Sequence, residues 1–304
     1  MRKTLLAFAF LACGYIAVAQ QTASFAQYMF NPLAINPAYA GSHNLISASF
    51  ITRFQNIGLE GAPSTQTFSI HSPLWQKNIA AGALFIRDKI GVINNTGAHF
   101  AGTYRIFFDE EGEHSIAFGM QFGMINYRAD YTSLTSLSPD DPYFNTNVQQ
   151  SRPNIGSGFF YRNKNYFAGI SMPHMMNNVF DRGDNFSTVF QSIPFLVHGG
   201  YVYTINPVLR IKPNFLFKVT DGSISDIDLN CSVQFDDLLW VGASYRFPGV
   251  NLLTEIRLTD QLLLGYAYAL EKGELREVGI GTHEILLNFR FKFTKYRLVS
   301  PRYF

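Results

Sequence analysis

The sequence predicts an all-β chain that forms a transmembrane antiparallel β-barrel of about 14 strands. Apolar and polar residues alternate along most of it, as in 226–235, where Ile227 and Leu229 alternate with Asp228 and Asn230. Successive strand side chains point to opposite faces, so one face meets lipid and the other meets water. Past residue 19 no run of about twenty apolar residues occurs, which excludes a transmembrane helix. The 16 Tyr and 29 Phe suit the aromatic girdles of membrane barrels.

Residues 1–19 have the anatomy of a secretory signal peptide. Arg2 and Lys3 form a basic start, residues 5–18 are mostly apolar, and Ala17-Val18-Ala19 forms a cleavage site. We therefore expect an exported chain that is located in the outer membrane of a Gram-negative cell.

The short N-terminal segment 20–43 does not read as a strand. Its two Asn-Pro steps, at Asn31 and Asn36, break regular structure, because a residue before proline is pushed out of the helical region. Two interpretations stay open. The segment is either a periplasmic leader into the barrel, or an aromatic segment that plugs the lumen or docks a periplasmic partner.

The barrel itself is predicted over 44–293. The expected strands are 45–54, 64–72, 79–88, 96–108, 114–125, 153–162, 166–172, 193–204, 208–219, 226–235, 238–246, 250–258, 262–270 and 281–293. An even number returns both chain ends to the periplasm. Every second connection is brief, whereas 126–152 and 173–192 are long, which is the expected contrast between periplasmic turns and outer loops.

Residue types predict which way each strand faces. In 114–125, Phe118 and Phe122 suit lipid, while the intervening Gly119 and Gln121 suit a lumen. A basic side chain held at the lipid midplane costs about 2–4 kcal/mol. The last strand is therefore expected to direct its charged residues inward and its apolar residues outward. Those predicted to point inward are Glu284, Asn288, Arg290 and Lys292, and those predicted to face lipid are Ile285, Leu287, Phe289, Phe291 and Phe293.

The tail 294–304 is basic and aromatic. Its final residue Phe304 is compatible with the terminal aromatic signal of outer-membrane barrels, by analogy. Because the last clear strand ends earlier, the tail is alternatively a periplasmic extension that contacts lipid headgroups or another protein.

Composition argues against several functions. Without Arg2 and Lys3 the 24 basic residues fall to 22, which equals the 22 acidic ones, so no nucleic-acid partner is expected. Past residue 19 the only cysteine is Cys231, which excludes an intramolecular disulfide and a multi-cysteine metal site. We expect no enzyme activity, no cofactor and no metal. The strand histidines are expected to form hydrogen bonds in the lumen; they are His71, His99, His198 and His283.

Three stretches, 27–42, 61–73 and 281–285, together resemble one protein family. They closely resemble the PorP/SprF family of type IX secretion system outer-membrane proteins, and the resemblance extends over nearly the whole exported chain. The residues that carry it, and that we take as candidates for partner contact, are Gln27, Tyr28, Asn31, Pro32, Asn36, Pro37, Tyr39, Gly41, Pro63, Gln66 and His71.

The resemblance implies a barrel that works with large secreted surface proteins, including gliding adhesins. The implied partners are an adhesin-type protein with a C-terminal sorting domain, other periplasmic and outer-membrane secretion components, and membrane lipid. A 14-strand lumen is narrower than that of a 16-strand porin, so an accessory or anchoring role is expected rather than a conduit. The alternative is a passive transporter for small or hydrophobic solutes, with a lumen lined by Arg105, Gln121, Arg290 and Lys292.

Overall fold

The computed structural model describes eight stretches of the chain. They are residues 26–43, 45–74, 78–134, 147–181, 187–191, 193–246, 249–270 and 280–291. The expected signal peptide 1–19, the first part of the N-terminal segment and the tail 294–304 lie outside the described residues. Lys292 and Phe293 do so as well.

The described chain is nearly all sheet. Four 3₁₀ turns are present, at Tyr28–Phe30, Pro32–Ala34, Pro37–Tyr39 and Tyr131–Ser133. The first strands are β1 (Ile46–Phe54), β2 (Ser64–Pro73), β3 (Ile79–Ile90), β4 (Ile93–Phe107), β5 (Ser115–Ala129), β6 (Val148–Arg162), β7 (Tyr166–Met172), β8 (Asn178–Asp181) and β9 (Ser187–Gln191). The others are β10 (Pro194–Tyr201), β11 (Tyr203–Thr204), β12 (Leu209–Thr220), β13 (Ser223–Phe235), β14 (Leu239–Arg246), β15 (Gly249–Arg257), β16 (Leu262–Leu270) and β17 (Thr282–Phe291).

These strands close into a barrel. One sheet of 15 strands runs through antiparallel neighbours, and β1 pairs with β17, as in Phe50 opposite Leu287. Strands β10 and β11 share one register against β12, because Gly200 lies opposite Asn214 and Tyr203 opposite Ile211. They are therefore one strand interrupted at Val202. The barrel has 14 strands, which confirms the predicted fold class.

The barrel has two distinguishable ends. We call the end where β1 begins the terminal end and the opposite end the loop end. The predicted difference in connection length is weaker than expected, because residues 91–92 and 221–222 make tight turns at the loop end. Asp221 and Gly222 both have positive φ, of 52° and 77°, as a two-residue hairpin turn requires.

Two predicted loops contain more structure than the sequence indicated. The connection 126–152 is strand at both ends, because Tyr127 and Ala129 on β5 continue the inward row and form a cluster with Val148 on β6. The connection 173–192 contains the hairpin β8–β9, in which Val179 pairs with Val189.

Among the described residues, no helix has the length and apolar character needed to cross a membrane.

The directions predicted for the listed side chains of 114–125 and of the last strand are confirmed where those residues are described. On β5, Phe118 and Phe122 are exposed on the outer surface while Gln121 is buried inside. On β17, Ile285 and Leu287 are likewise outward, with Glu284 and Asn288 buried inside. The barrel therefore has an apolar outer surface and a polar inner wall.

The hydrophobic core lies within the lumen and is built by residues 26–43, which we call the inner segment. Leu33, Tyr39 and Ala40 of this segment pack against Ala101 and Phe160 of the wall. A second cluster joins residues of the same segment to β15 and β16; its buried members are Ala26, Tyr28, Met29, Leu253 and Ala267. The barrel is thus filled by its own N-terminal chain.

Candidate functional site

The inner segment contains three 3₁₀ turns, and its two Asn-Pro steps place the second and the third. Pro32 and Pro37 each stand at the start of a turn, where the missing N–H is not needed and the fixed φ favours the turn. Asn36 adopts an extended conformation before Pro37, and its Oδ1 accepts a hydrogen bond from the N–H of Ala38 at 2.9 Å. The local sequence thus determines a compact, turning chain.

Glu284 on β17 fixes the start of the segment. Its two carboxylate oxygens accept hydrogen bonds from the backbone N–H groups of Ala26, at 2.9 Å, and Gln27, at 2.8 Å. The Gln27 amide donates in return to the backbone oxygen of Glu284 at 3.3 Å. Arg53 lies 3.6 Å from the same carboxylate, which is 1% exposed. A buried carboxylate is stable only with such partners.

Asn36 is fully buried and joins the segment to the opposite side of the wall. Its Nδ2 donates to the backbone oxygen of Phe159 at 2.9 Å and lies 3.1 Å from Nε2 of His198. Its Oδ1 serves Ala38, so one side chain both caps a turn and fastens that turn to β6 and β10. Replacement of Asn36 therefore disrupts local and tertiary structure together.

Three wall hydroxyls add further bonds to the segment. Ser69 donates to Oδ1 of Asn31 at 2.7 Å. The other two donate to segment carbonyls: Thr103 to Pro37 at 2.9 Å and Ser171 to Ile35 at 2.6 Å. Backbone groups in irregular turns need partners of this kind when they are buried.

Two arginines hold the end of the segment near the terminal end of the barrel. Arg105 is 2% exposed and donates to the backbone oxygens of Gly41, at 2.7 Å, and Ala40, at 3.1 Å. Arg162 donates to the backbone oxygen of Ser42. Within the described chain no carboxylate pairs with Arg105, so peptide carbonyls take the place of a counter-ion. The planar guanidinium suits this fork of acceptors better than an ammonium would.

Tyr39 and two histidines form a packed group beside these arginines. The Tyr39 hydroxyl lies 3.0 Å from Nε2 of His43, and the two histidine rings of His43 and His71 stack at 5.7 Å. His71 Nδ1 accepts a hydrogen bond from the N–H of Gly41 at 3.1 Å.

Burial raises the pKa of Tyr39 to about 12. Burial, followed by the charge of Arg290, holds the pKa of His43 well below its ordinary value, so both groups stay neutral.

Lys212 contacts the other side of the segment. Its Nζ is buried and lies 6.0 Å from the ring centroid of Phe30, 5.6 Å from that of Phe167 and 5.8 Å from that of Trp240. Cation–π attraction of this kind strengthens when the ammonium loses water. The aromatic side chain of Phe30 is thus bound by a charged residue of the wall.

Glycines in the wall make room for the segment. A Cβ on Gly119 would lie less than 3.0 Å from the backbone of Ala38, and a Cβ on Gly158 would be equally close to Oδ1 of Asn36. Real Cβ atoms essentially never come so close. The missing side chains at these two positions therefore fit the segment and do not serve backbone flexibility.

The structure brings together nine of the eleven candidate residues from the sequence. They are Gln27, Tyr28, Asn31, Pro32, Asn36, Pro37, Tyr39, Gly41 and His71. Gln66 lies on the outward row of β2, and Pro63 lies in the connection at the loop end, so neither contacts the segment. Apart from His71, the sequence did not identify which wall residues bind the segment. A possible signal was their position as polar residues on the inward rows.

The remaining predictions for the lumen have mixed outcomes. Arg105 points inward as expected, but it binds the segment instead of lining an open path. Gln121 donates to the backbone oxygen of Pro173 at 2.8 Å and is buried as well. The expectation of a lumenal hydrogen bond was wrong for His283, which faces outward and lies 2.8 Å from the Tyr266 hydroxyl. The period of two places it on the same face as Ile285.

Comparison with known families gives one match. The sequence model of the family described as "Type IX secretion system membrane protein PorP/SprF" matches residues 17–289. That span includes the whole inner segment and all but the last residues of β17. No curated protein matches the chain significantly.

Several solved structures are similar at low sequence identity. The CymD monoaromatic hydrocarbon channel aligns with 90% of this chain and 94% of its own, at 11% identity and a TM-score of 0.50. A Pseudomonas aeruginosa FadL homologue aligns with 90% of this chain and 96% of its own, at 10% identity and a TM-score of 0.48. The KdgM porin aligns with 81% of this chain and 99% of its own, at 9% identity and a TM-score of 0.40. The first alignment supports the barrel fold alone, and the other two are too distant to support an argument.

Proposed function

This chain belongs to the PorP/SprF family of type IX secretion system membrane proteins, and from that premise we propose that it anchors exported proteins at the cell surface. The family and the barrel fold indicate an outer-membrane component of the secretion system. The proposed cargo is a large adhesin-type protein, such as a gliding adhesin, that carries a C-terminal sorting domain. The proposed role is non-enzymatic: the barrel holds the cargo and does not conduct it.

The occupied lumen is the observation that carries this proposal. Residues from Ala26 to Ser42 are fixed to the wall by buried bonds to Glu284, Ser69, Thr103 and Arg105. A folded domain would have to displace all of them, and a 14-strand barrel is already narrower than a porin. A filled barrel suits a rigid anchor, because its end surfaces stay in fixed positions.

The proposed cargo-binding surface is the loop end. The connections 130–147 and 173–193 are the long ones there, and the hairpin β8–β9 gives the second a regular core. Binding surfaces are commonly carried by loops on a rigid scaffold. We assign the loop end to the cell exterior and the terminal end, with the tail 294–304, to the periplasmic components of the system.

A display assay tests the proposal. In a strain that lacks this protein, a reporter fused to a C-terminal sorting domain should no longer be accessible to protease on intact cells, and the full-length chain should restore it. The matched complementation uses a chain in which the hairpin 178–191 is replaced by a Gly-Ser connection of equal length. Unchanged display in the deletion strain would reject the anchoring function. Restored display by the hairpin-free chain would reject only the loop assignment.

The transporter alternative makes the opposite prediction. A passive solute channel predicts that deletion leaves display intact and slows uptake of a small or hydrophobic solute. The inner segment argues against that alternative, because it places Leu33, Tyr39 and Phe160 in one packed cluster across the lumen. Uptake of a radiolabelled solute panel in the same two strains separates the two functions.

A further inference from the structure

Charged side chains on the barrel strands follow a simple rule with one local exception. Within the described barrel strands, charged residues point inward, apart from Arg87 and Lys89 on β3 and Arg128 on β5. All three are basic, exposed and close to the loop end. The outward rows of the other described barrel strands carry no Asp, Glu, Lys or Arg.

The sheet register places these three residues in one patch. Lys89 pairs with Asn94 on β4, and Asn94 pairs with Arg128 on β5. The side chains of Lys89, Asn94 and Arg128 therefore form a row on the outer face. Neighbouring strands lie about 4.8 Å apart, which puts Lys89 and Arg128 roughly 10 Å from each other with the Asn94 amide between them. Arg87 lies one outward position below Lys89, and its Nε donates to Oδ1 of Asn94 at 3.2 Å.

The patch has no acidic partner among the described residues. Asp88, between the two β3 cations, faces inward and accepts a hydrogen bond from Thr65 at 2.6 Å. Asp130, two residues after Arg128, accepts one from Thr132 at 3.0 Å. The positive charge of the patch therefore faces outward without an ion pair to any carboxylate in the described part of the chain.

The outer surface of β3–β5 is apolar below the patch, toward the barrel middle. Phe85 and Met124 lie two outward rows from Lys89 and Arg128, and Phe100 and Phe122 lie one row further. All four are between 45% and 66% exposed. The rings of Phe100 and Phe122 pack at 6.0 Å. A cationic, amide-bearing row above an exposed apolar surface matches a molecule with a phosphate head and acyl chains.

We propose that the outward face of β3–β5 binds a phosphorylated lipid from the membrane leaflet at the loop end. Arg87, Lys89 and Arg128 bind the lipid phosphate, since charge-assisted bonds from several basic groups are the strongest available there. The Asn94 and Asn126 amides lie on the same face and supply hydrogen bonds to the headgroup. The acyl chains lie on the apolar surface formed by Phe85, Phe100, Phe122 and Met124. This site fixes a lipid at one sector of the barrel and is independent of the cargo.

Native mass spectrometry of the full-length protein released from detergent micelles tests this inference. The probes are a phosphatidic acid and the diacylglycerol with the same acyl chains, which differ only in the phosphate. The wild-type protein should retain phosphatidic acid preferentially. In K89Q/R128Q the affinity should fall about twenty-five-fold, because each basic residue near a membrane surface contributes roughly a fivefold change.

The matched control is R152Q/K164Q, which loses the same charge. Arg152 lies at the loop end on the inward-facing row of β6, and Lys164 lies in a turn at the terminal end. Its lipid retention should equal that of the wild type. If K89Q/R128Q does not fold, as judged by heat-modified gel mobility, K89Q and R128Q alone should each weaken retention about fivefold.

Three results would overturn the inference. They are equal retention by K89Q/R128Q or by both single variants, equal retention of diacylglycerol, and displacement of the lipid by inorganic phosphate at the same concentration. The last result would mean that the patch binds a free anion and not a lipid.

Discussion

The carboxylate of Glu284 accepts a hydrogen bond from the backbone N–H of Gln27 at 2.8 Å, across 257 residues of sequence. The first described turn of the chain is thus bound to the last barrel strand. Glu284 reaches this position only when β17 pairs with β1 and the barrel closes. The binding site for the inner segment is therefore complete only after the final strand has been added.

Substitution E284Q should loosen the start of the inner segment. It removes the charge that strengthens the bonds to Ala26 and Gln27 and weakens the ion pair with Arg53, while the side-chain shape is retained. A buried charged hydrogen bond contributes about 1.5–3 kcal/mol, so these backbone amides should exchange hydrogen roughly ten- to a hundredfold faster. Hydrogen-exchange mass spectrometry of residues 26–31 measures this. The matched control is E113Q, whose carboxylate pairs with Lys164 on the exposed surface at 3.6 Å and should leave the exchange unchanged.

Substitution G119A should expel the middle of the segment while the barrel persists. The added methyl would overlap the backbone of Ala38, and buried backbone cannot move aside without losing its bonds. Cleavage of the segment by a protease added to the detergent-solubilised protein should rise at least tenfold. The control G102A adds the same methyl on the outward face of β4, where nothing lies within 4 Å. Equal protection of G119A and G102A would contradict the close packing.

Substitution R105K should raise ion conductance in planar bilayers. A lysine retains the charge but loses the planar fork that binds Gly41 and Ala40 together. With the end of the segment loosened, we expect more frequent open events and a conductance that stays below that of a 16-strand porin. K164R, in an exposed turn, exchanges the same two residue types in the other direction and should match the wild type. Large steady conductance in the wild-type protein would contradict a filled lumen.

Docking of the segment should weaken in acid through His43. Its pKa is far below the ordinary value because of burial, followed by the positive surroundings of Arg290, His71, Arg162 and Arg105. The undocked histidine, with a pKa of about 6.5, binds a proton that the docked one rejects. Docking stability is therefore fully present above about pH 6.5 and is lost as the pH falls below it.

The measurement is protease protection of the segment between pH 7.5 and 5. Substitution H43Q retains a hydrogen-bonding group for Tyr39 but cannot titrate there, so it should reduce the pH dependence. H114Q removes a histidine from the turn before β5 and should keep the wild-type profile. A pH profile of H43Q that is identical to wild type would show that other groups, such as His71, dominate the response.

The strands could be predicted from the sequence because each is a local pattern. The alternation of Ile227 and Leu229 with Asp228 and Asn230 needs only the period of two to assign both faces of β13. The same rule correctly directed Glu284 inward. It was misapplied to His283, whose place next to Glu284 in sequence puts it on the outer face beside Tyr266.

The partners of the candidate site were not predictable in the same way. Asn36 and Pro37 identify a turn, but nothing near them in sequence identifies Phe159 or His198 as the groups that Asn36 meets. Gly119 likewise reads as a small lumen residue, and its role appears only when Ala38 is placed against it. The two open interpretations of the N-terminal segment differ in just these long-range contacts.

The sequence by itself determined the fold class, the strand faces, the turns of residues 26–43 and the family, because each depends on neighbours along the chain. The tertiary structure alone decided where that segment lies, which side chains hold it, and that Arg87, Lys89 and Arg128 share one outward patch. The physical reason is barrel closure: it brings together residues far apart in sequence, and the register that aligns them is a property of the whole sheet.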